Sequence, residues 1–201
     1  MPLNNKYNDY FDHLSSISLL GKFYKKFISS PLIYQCANSF GNSILEVGSG
    51  IGNGILGTFP SHVVGVDINS NAVNYCNRIG LNAKIIKDDG LFPFADSVFD
   101  SCVLDNVLEH IPNPAHTLNE CWRVTKNNGG LVVVVPGVKG FDSDRDHKVF
   151  YGKKELMLLN ERWEFIRLFA MPTYFINNKI SKILKQYCLV ATYKKIDSKQ
   201  N

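Results

Sequence analysis

Acidic residues recur in this chain where apolar, β-prone runs stop. Glu46 follows Ile44-Leu45, Asp67 follows Val63–Val66, Asp88 and Asp89 follow Ile85–Lys87, and Asp105 follows Val103-Leu104. Two histidines, His110 and His147, lie in polar stretches beyond the fourth and fifth such runs. Carboxylates at successive strand tips can accept hydrogen bonds from hydroxyl-rich ligands or balance a cation. Imidazoles beside them can take up a proton near neutral pH.

The first tip carries the sharpest signal. Glu46-Val47-Gly48-Ser49-Gly50-Ile51-Gly52-Asn53 spaces its glycines at every second position. A strand entering such a stretch must turn abruptly, with its backbone close to something that no Cβ would allow. A dinucleotide fingerprint, G-x-G-x-x-G, needs its third glycine for helix–strand packing beneath a pyrophosphate. Gly48 and Gly50 satisfy its first two places, but Asn53 holds the third. The E-x-G-x-G-x-G spacing instead resembles the first motif of class I S-adenosylmethionine-dependent methyltransferases, whose ligand is a cationic sulfonium amino acid on a nucleoside. A ligand-free surface turn is the bland alternative.

Downstream residues extend the resemblance. Pro93-Phe94, Phe99-Asp100 and Val107-Leu108-Glu109-His110 resemble, in that order, the broad group of small-molecule, quinone and glycan methylases. The likeness covers residues 44–137. It implies S-adenosylmethionine as cofactor, S-adenosylhomocysteine as product, and a contact set of Glu46, Gly48, Ser49, Gly50 and Asn53. Asp67 with its neighbour Ile68 falls where doubly wound sheets place a ribose-binding carboxylate, although Asp at a strand end also serves as a helix cap. The family position for the adenine amino group falls on Asp88, with Asp89 and Gly90 beside it, and the choice between the two carboxylates stays open. Asp105 and Asn106 would line the methionine end. His110 is either a proton acceptor or structural.

A second, weaker likeness lies in Gly140-Phe141, Asp144 and Asp146–Tyr151, which resemble the substrate loop of methyltransferases acting on sugars and cell-envelope polysaccharides. It implies a small-molecule, sugar or glycan acceptor. For a hydroxyl acceptor, His147 is the general-base candidate, oriented by Asp144 or Asp146. The alternative is a solvated turn whose charges pair with one another. Two rival functions remain: a methyltransferase-like binding protein without turnover, and a nicotinamide-dependent oxidoreductase.

The elements that must position these residues alternate strand and helix, which predicts an α/β fold. It is a Rossmann-like, doubly wound, mostly parallel seven-stranded sheet with helices on both faces, its strand 7 antiparallel between strands 5 and 6 as the family has it. Expected strands are 44–46, 63–67, 83–87, 99–106, 131–135, 163–169 and 187–193, with 127–130 a sharp turn before the fifth. Helices are expected over 71–79, 114–124 and 153–160, with a short one after residue 54. The chain reads as one methyltransferase domain over 1–201. It comprises a helical cap over 1–40, a cofactor half over 41–137, and substrate-side elements with the last strands over 138–201. In the cap, Tyr7, Tyr10, Phe11 and Leu14 recur at helical spacing, as do Phe23, Tyr24, Phe27 and Ile28. Pro31 breaks that pattern and a further helix covers 32–40. Such stripes usually pack on their own domain; as a lid, Tyr7 and Tyr10 would face the pocket. Ile176, Ile180, Ile183, Leu184 and Tyr187 form one helical face opposite Lys179, Lys182 and Lys185, a pattern that suits core packing or peripheral contact with an anionic membrane through 176–187.

Composition narrows the classes. The formal charge of +4 over 201 residues is too small to imply a nucleic-acid partner. It is uneven: residues 139–201 hold 13 Lys/Arg against 7 Asp/Glu. Five well-separated cysteines without a C-x-x-C pair predict free thiols in a reducing, cytoplasmic setting and no metal site. The first twenty residues carry no signal-peptide core, and no apolar run is long enough to span a membrane. Acceptor identity and oligomeric state are not legible at this level.

Overall fold

The computed structural model describes residues 19–196, so Tyr7 and Tyr10, the expected lid residues, lie outside the described residues. Seven strands form one sheet: β1 (Ile44–Val47), β2 (Val63–Asp67), β3 (Ala83–Ile85), β4 (Phe99–Asp105), β5 (Thr125–Pro136), β6 (Trp163–Met171) and β7 (Cys188–Lys195). Their order is β3-β2-β1-β4-β5-β7-β6. β1 pairs in parallel with β2 and β4, and β7 runs antiparallel between β5 and β6. This is the expected topology. The order reverses at β1, so the carboxyl ends of β1 and β4 flank a switch point where ligands of open α/β sheets bind.

The apolar run of β5 shows why the sheet is covered on both faces. Leu131, Val133 and Val135 join one buried cluster with Leu118, Cys121 and Val124; Val132 and Val134 join the other with Ile33, Ala37 and Ile55. Alternate side chains of a strand point to opposite faces, so burial on both sides needs a continuous apolar run. α1 (Leu19–Tyr24) leads into the helices supplying these layers, α2 (Ser30–Asn38), α3 (Ile55–Thr58), α4 (Ser70–Arg78) and α5 (Ala115–Val124). α6 (Val138–Asp142), α7 (Lys153–Met157) and α8 (Asn178–Ile183) follow β5 and β6.

Several boundaries differ from expectation. Pro31 does not break the N-terminal helix. A π-helical turn over Lys25–Ser29 joins α1 to α2, with the Ser30 N–H donating to the Lys25 carbonyl and Pro31 in the first turn of α2. The widened turn absorbs a residue that can donate no hydrogen bond of its own. The 127–130 turn lies within β5, between Thr125 opposite Phe99 and Gly130 opposite Ser101, with Asn128 at φ 63°. β7 runs two residues past the expected end to Lys195, whose Nζ donates to the Thr125 carbonyl at 2.6 Å. α7 ends at Met157, short of 160.

The continuous amphipathic helix expected around 176–187 is also shorter. Asn177 accepts hydrogen bonds from the Lys179 and Ile180 N–H groups, which starts α8 there and leaves Ile176 ahead of the cap. Leu184 is already extended and Tyr187 is buried before β7, while Ile183 is 77% exposed. The five apolar residues therefore share no single helical face. At α4, Asn69 is the cap, accepting from Asn71 and Ala72, so Asp67 is not used for that purpose.

Candidate functional site

The glycine bend is built around Glu46. Its side chain is 3% exposed and accepts from the Ile55 N–H at 3.2 Å and the Leu56 N–H at 2.8 Å, at the start of α3. Gly54 is required because a Cβ there would collide with the Glu46 carboxylate. Gly48 adopts φ 71° and has Val107 where its Cβ would point, so only glycine fits without strain. Glu46 thus organises the loop, as well as facing the pocket beyond it. Burial raises its pKa to about 7, and the nearby Asp105 adds to the rise.

Lining residues of this pocket, about 170 Å³ in volume, include Gly48, Ser49, Gly50, Asn53, Asp105 and Asn106 on one side and His110, Asp144 and His147 on the other. They come from three segments, residues 48–53, 105–110 and 144–147, each more than 30 residues from the next in sequence, which meet because β1, β4 and β5 are neighbours and deliver loops to the carboxyl edge. A groove of about 450 Å³ lies at the amino edge, lined by Asn42, Ser43, His62 and Asp100, away from the switch point.

Lys25 is the member that sequence reasoning missed. Its Nζ lies 3.3 Å from Asp105 Oδ2, and Asp105 holds the ammonium pKa above its ordinary value. A lysine between Tyr24 and Lys26 reads as solvated helix surface, and only the packing of the π-turn over the sheet brings it inward. Asn106, at φ 57°, donates from Nδ2 to Asp105 Oδ1 at 2.7 Å.

The remaining cofactor candidates stand further from the pocket. Asp67 accepts from the Gly50 N–H at 2.7 Å and the Asn69 N–H at 2.8 Å, joining the β2 tip to the glycine bend without lining the pocket itself. Burial raises its pKa, against the lowering effect of those donors. Ile68 is 59% exposed. Asp88 and Asp89 are exposed beyond β3; Asp89 accepts from the Leu91 N–H at 3.0 Å, and Gly90 has φ 74°. The loop that follows is pinned by Glu120, which accepts from the Phe92 N–H at 2.8 Å and pairs with Arg123 at 2.6 Å.

Across the pocket from the glycine bend, Glu109 is the second missed residue. It lies in the one-turn helix Leu108–His110 after β4, is fully buried, and neither carboxylate oxygen has a hydrogen-bond partner among the described residues. Burial pushes its pKa up to about 8, with Asp105 and Asp144 contributing. Its carbonyl accepts from the Lys148 and Val149 N–H groups at 2.6 and 3.1 Å, which docks the loop after β5. That docking sets His147 Nε2 3.9 Å from Glu109 Oε1 and 3.9 Å from Asp144 Oδ2. His147 Nδ1 lies 2.8 Å from the Phe141 carbonyl, and the His110 and His147 rings are 4.7 Å apart. Burial and the neighbouring His147 lower the His110 pKa. Of the predicted catalytic residues, His110, Asp144 and His147 come together; Asp146 approaches His110 through its backbone carbonyl, at 3.3 Å from Nδ1.

A family profile described as a methyltransferase domain matches residues 45–133, the stretch from β1 into β5. The fold is that of a SAM-dependent methyltransferase from Aquifex aeolicus, with a TM-score of 0.64 at 18% identity, covering 94% of this chain and 98% of that one. Profile match and fold together support a class I S-adenosylmethionine-dependent methyltransferase. An uncharacterised protein of Methanocaldococcus jannaschii is 28% identical over 85% of this chain and 76% of its own length. An uncharacterised methyltransferase of Mycobacterium leprae is 34% identical over 47% of this chain and 36% of its own length. The chain therefore spans about a third of the mycobacterial relative. Family and fold imply S-adenosylmethionine as cofactor. No helix among the described residues is long and apolar enough to cross a membrane.

Proposed function

We propose that this methyltransferase acts on a hydroxyl of a small-molecule, sugar or cell-envelope glycan acceptor bound at the His147 end of the pocket. The observation that supports this is the shared wall: the glycine bend and Asp105 face the same space as His110, Asp144 and His147. The residues present suit the cofactor. Gly48 and Gly50 carry no side chains at the β1 tip, and Ser49 Oγ is a buried polar atom without a hydrogen-bond partner among the described residues. When bound, S-adenosylmethionine supplies a methyl group on a sulfonium, which leaves by in-line displacement as S-adenosylhomocysteine.

The chain's residues divide the work. Glu46, through α3, holds the bend that Gly48, Ser49, Gly50 and Asn53 present to the ligand. Asp105 and Asn106 bind the amino-acid end, where Lys25 offers its ammonium to the carboxylate. Asp67 and Ile68 serve the ribose, and Asp88 or Asp89 with Gly90 serves the adenine. His147, its Nδ1 tied to the Phe141 carbonyl, presents Nε2 to the acceptor hydroxyl, and Asp144 steadies the imidazolium that forms. His110 supports the His147 ring edge-on. Alignment is the larger contribution, worth roughly 7–11 kcal/mol of barrier in favourable cases.

The reading takes residues 1–201 as one domain working in a reducing, cytoplasmic compartment, in keeping with its five free cysteines. Contact with an anionic membrane surface belongs to it only in reduced form, through exposed Phe175, Ile176 and Ile183 beside Lys179 and Lys182. The test is mass spectrometry for S-adenosylhomocysteine formed with cell-envelope extracts, alongside calorimetry with S-adenosylhomocysteine. His147→Ala should lower turnover and leave cofactor affinity nearly intact. Equal loss of both makes His147 structural, and binding without product favours a protein that has lost turnover.

A further inference from the structure

Glu109, His110 and His147 offer one ligand atom each, all within 4.8 Å of one another. Three features of the cluster need an explanation that proton handling alone does not supply. The first is Glu109 itself. A carboxylate buried without a donor is costly, and proteins normally pair such groups or use them to coordinate a metal. Neither Glu109 oxygen has a hydrogen-bond partner among the described residues.

The second is the spacing. His147 Nε2 stands 3.9 Å from Glu109 Oε1 and 3.9 Å from Asp144 Oδ2. A direct N–H···O bond would close to about 3 Å. Ligands held about 2.0–2.1 Å from a tetrahedral ion stand about 3.3 Å apart. The observed gaps are too wide for a hydrogen bond, and a shift of about half an ångström, within the reach of side-chain adjustment, closes them on an ion.

The third is how the imidazoles are held. His147 Nδ1 lies 2.8 Å from the Phe141 carbonyl and His110 Nδ1 lies 3.3 Å from the Asp146 carbonyl. A carbonyl only accepts, so these contacts assign the proton to Nδ1 and the lone pair to Nε2 in both neutral rings. Outer-sphere carbonyls that fix tautomer and ring direction in this way are the usual supports of metal-bound histidine.

We propose that Glu109, His110 and His147 form a three-ligand divalent transition-metal site, with Asp144 beside it, on the acceptor side of the methyl-transfer pocket. Two imidazole nitrogens with one carboxylate oxygen suit Zn²⁺, Mn²⁺, Fe²⁺ or Co²⁺ better than Ca²⁺ or Mg²⁺ and leave a position open for the acceptor. What the ion does there rests on the methyl-transfer reading; that it binds does not. Coordinated to the ion, the acceptor hydroxyl becomes acidic enough to lose its proton to solvent through Asp144, and its oxygen forms the new bond to the methyl carbon as the carbon–sulfur bond breaks. His147 then acts as a ligand, and the proton it would otherwise have accepted leaves through Asp144 to solvent.

The experiment is Zn²⁺ calorimetry on the full chain after chelator treatment and dialysis, with S-adenosylhomocysteine affinity measured on the same samples. One Zn²⁺ per chain with micromolar or tighter Kd is expected. Glu109→Gln and His147→Gln should each weaken it by about 100-fold while retaining S-adenosylhomocysteine affinity. Wild-type protein that takes up no Zn²⁺, or variants that bind it as tightly as wild type, would overturn the site. If Glu109→Gln does not fold, His147→Gln decides between these outcomes. Zn²⁺ binding that follows the variants without any S-adenosylhomocysteine binding would sink the methyl-transfer reading and leave the metal site standing.

Discussion

Replacing Glu46 by Gln should change the pH dependence of stability more than stability itself. The carboxylate is buried, accepts from Ile55 and Leu56, and has Asp105 and Lys25 as charged neighbours. Burial and Asp105 together outweigh the backbone donors and Lys25, and the pKa rises from 4.5 to about 7. A raised carboxylate pKa means that the folded state holds a proton that the unfolded state has released. The stability contribution is therefore complete below the unfolded pKa and is lost as pH rises through the folded one. From 4.5 to about 7, at about 1.36 kcal/mol per unit, the loss comes to about 3 kcal/mol. Glutamine cannot titrate. It keeps one acceptor for the two N–H groups at a pH-independent cost of about 1–3 kcal/mol. Urea denaturation of both proteins from pH 4.5 to 8.5 gives a difference from which all other titrations cancel. Wild type should be the more stable at the acid end and should lose about 3 kcal/mol relative to Glu46→Gln by the alkaline end. Parallel curves, or a wild type that gains on the variant as pH rises, would refute the reasoning.

Two further outcomes follow from the loops. Glu120→Ala removes the partner of Arg123 and the acceptor of the Phe92 N–H, so it should destabilise the fold by about 3 kcal/mol; a change under about 1 kcal/mol in urea melts would show the pair to be a solvated surface contact. Asp67→Ala should weaken S-adenosylhomocysteine binding several-fold by calorimetry, both through the ribose and by freeing the Gly50 N–H. Unchanged affinity removes the ribose assignment.

The order of strands and the cofactor motif were legible because they depend on local constraints. A sheet covered on both faces demands unbroken apolar runs such as Leu131–Val135, and a bend packed against Glu46 and Val107 demands glycine at fixed intervals. These requirements act over a few residues and leave their mark on residue type. Asp67 could be placed from its spacing, though its present partners, the N–H groups of Gly50 and Asn69, could not. Asn177 shows the converse, a local cap that stopped a helix which apolar periodicity had extended in both directions.

Tertiary structure decided everything that depends on distant segments meeting. Lys25 carries no mark distinguishing it from Lys26, yet the π-turn and the packing of α2 on the sheet place only Lys25 against Asp105. Glu109 is one letter of a recognised motif until the Lys148 and Val149 N–H groups dock on its carbonyl and carry His147 to its side. The chain's own residue types determined a glycine bend and carboxylate-tipped strands along one sheet edge. Which groups join that edge from the far side was decided by the loop after β5 folding back over the tip of β4, because contact between them requires closing a stretch of nearly forty residues that no local pattern records.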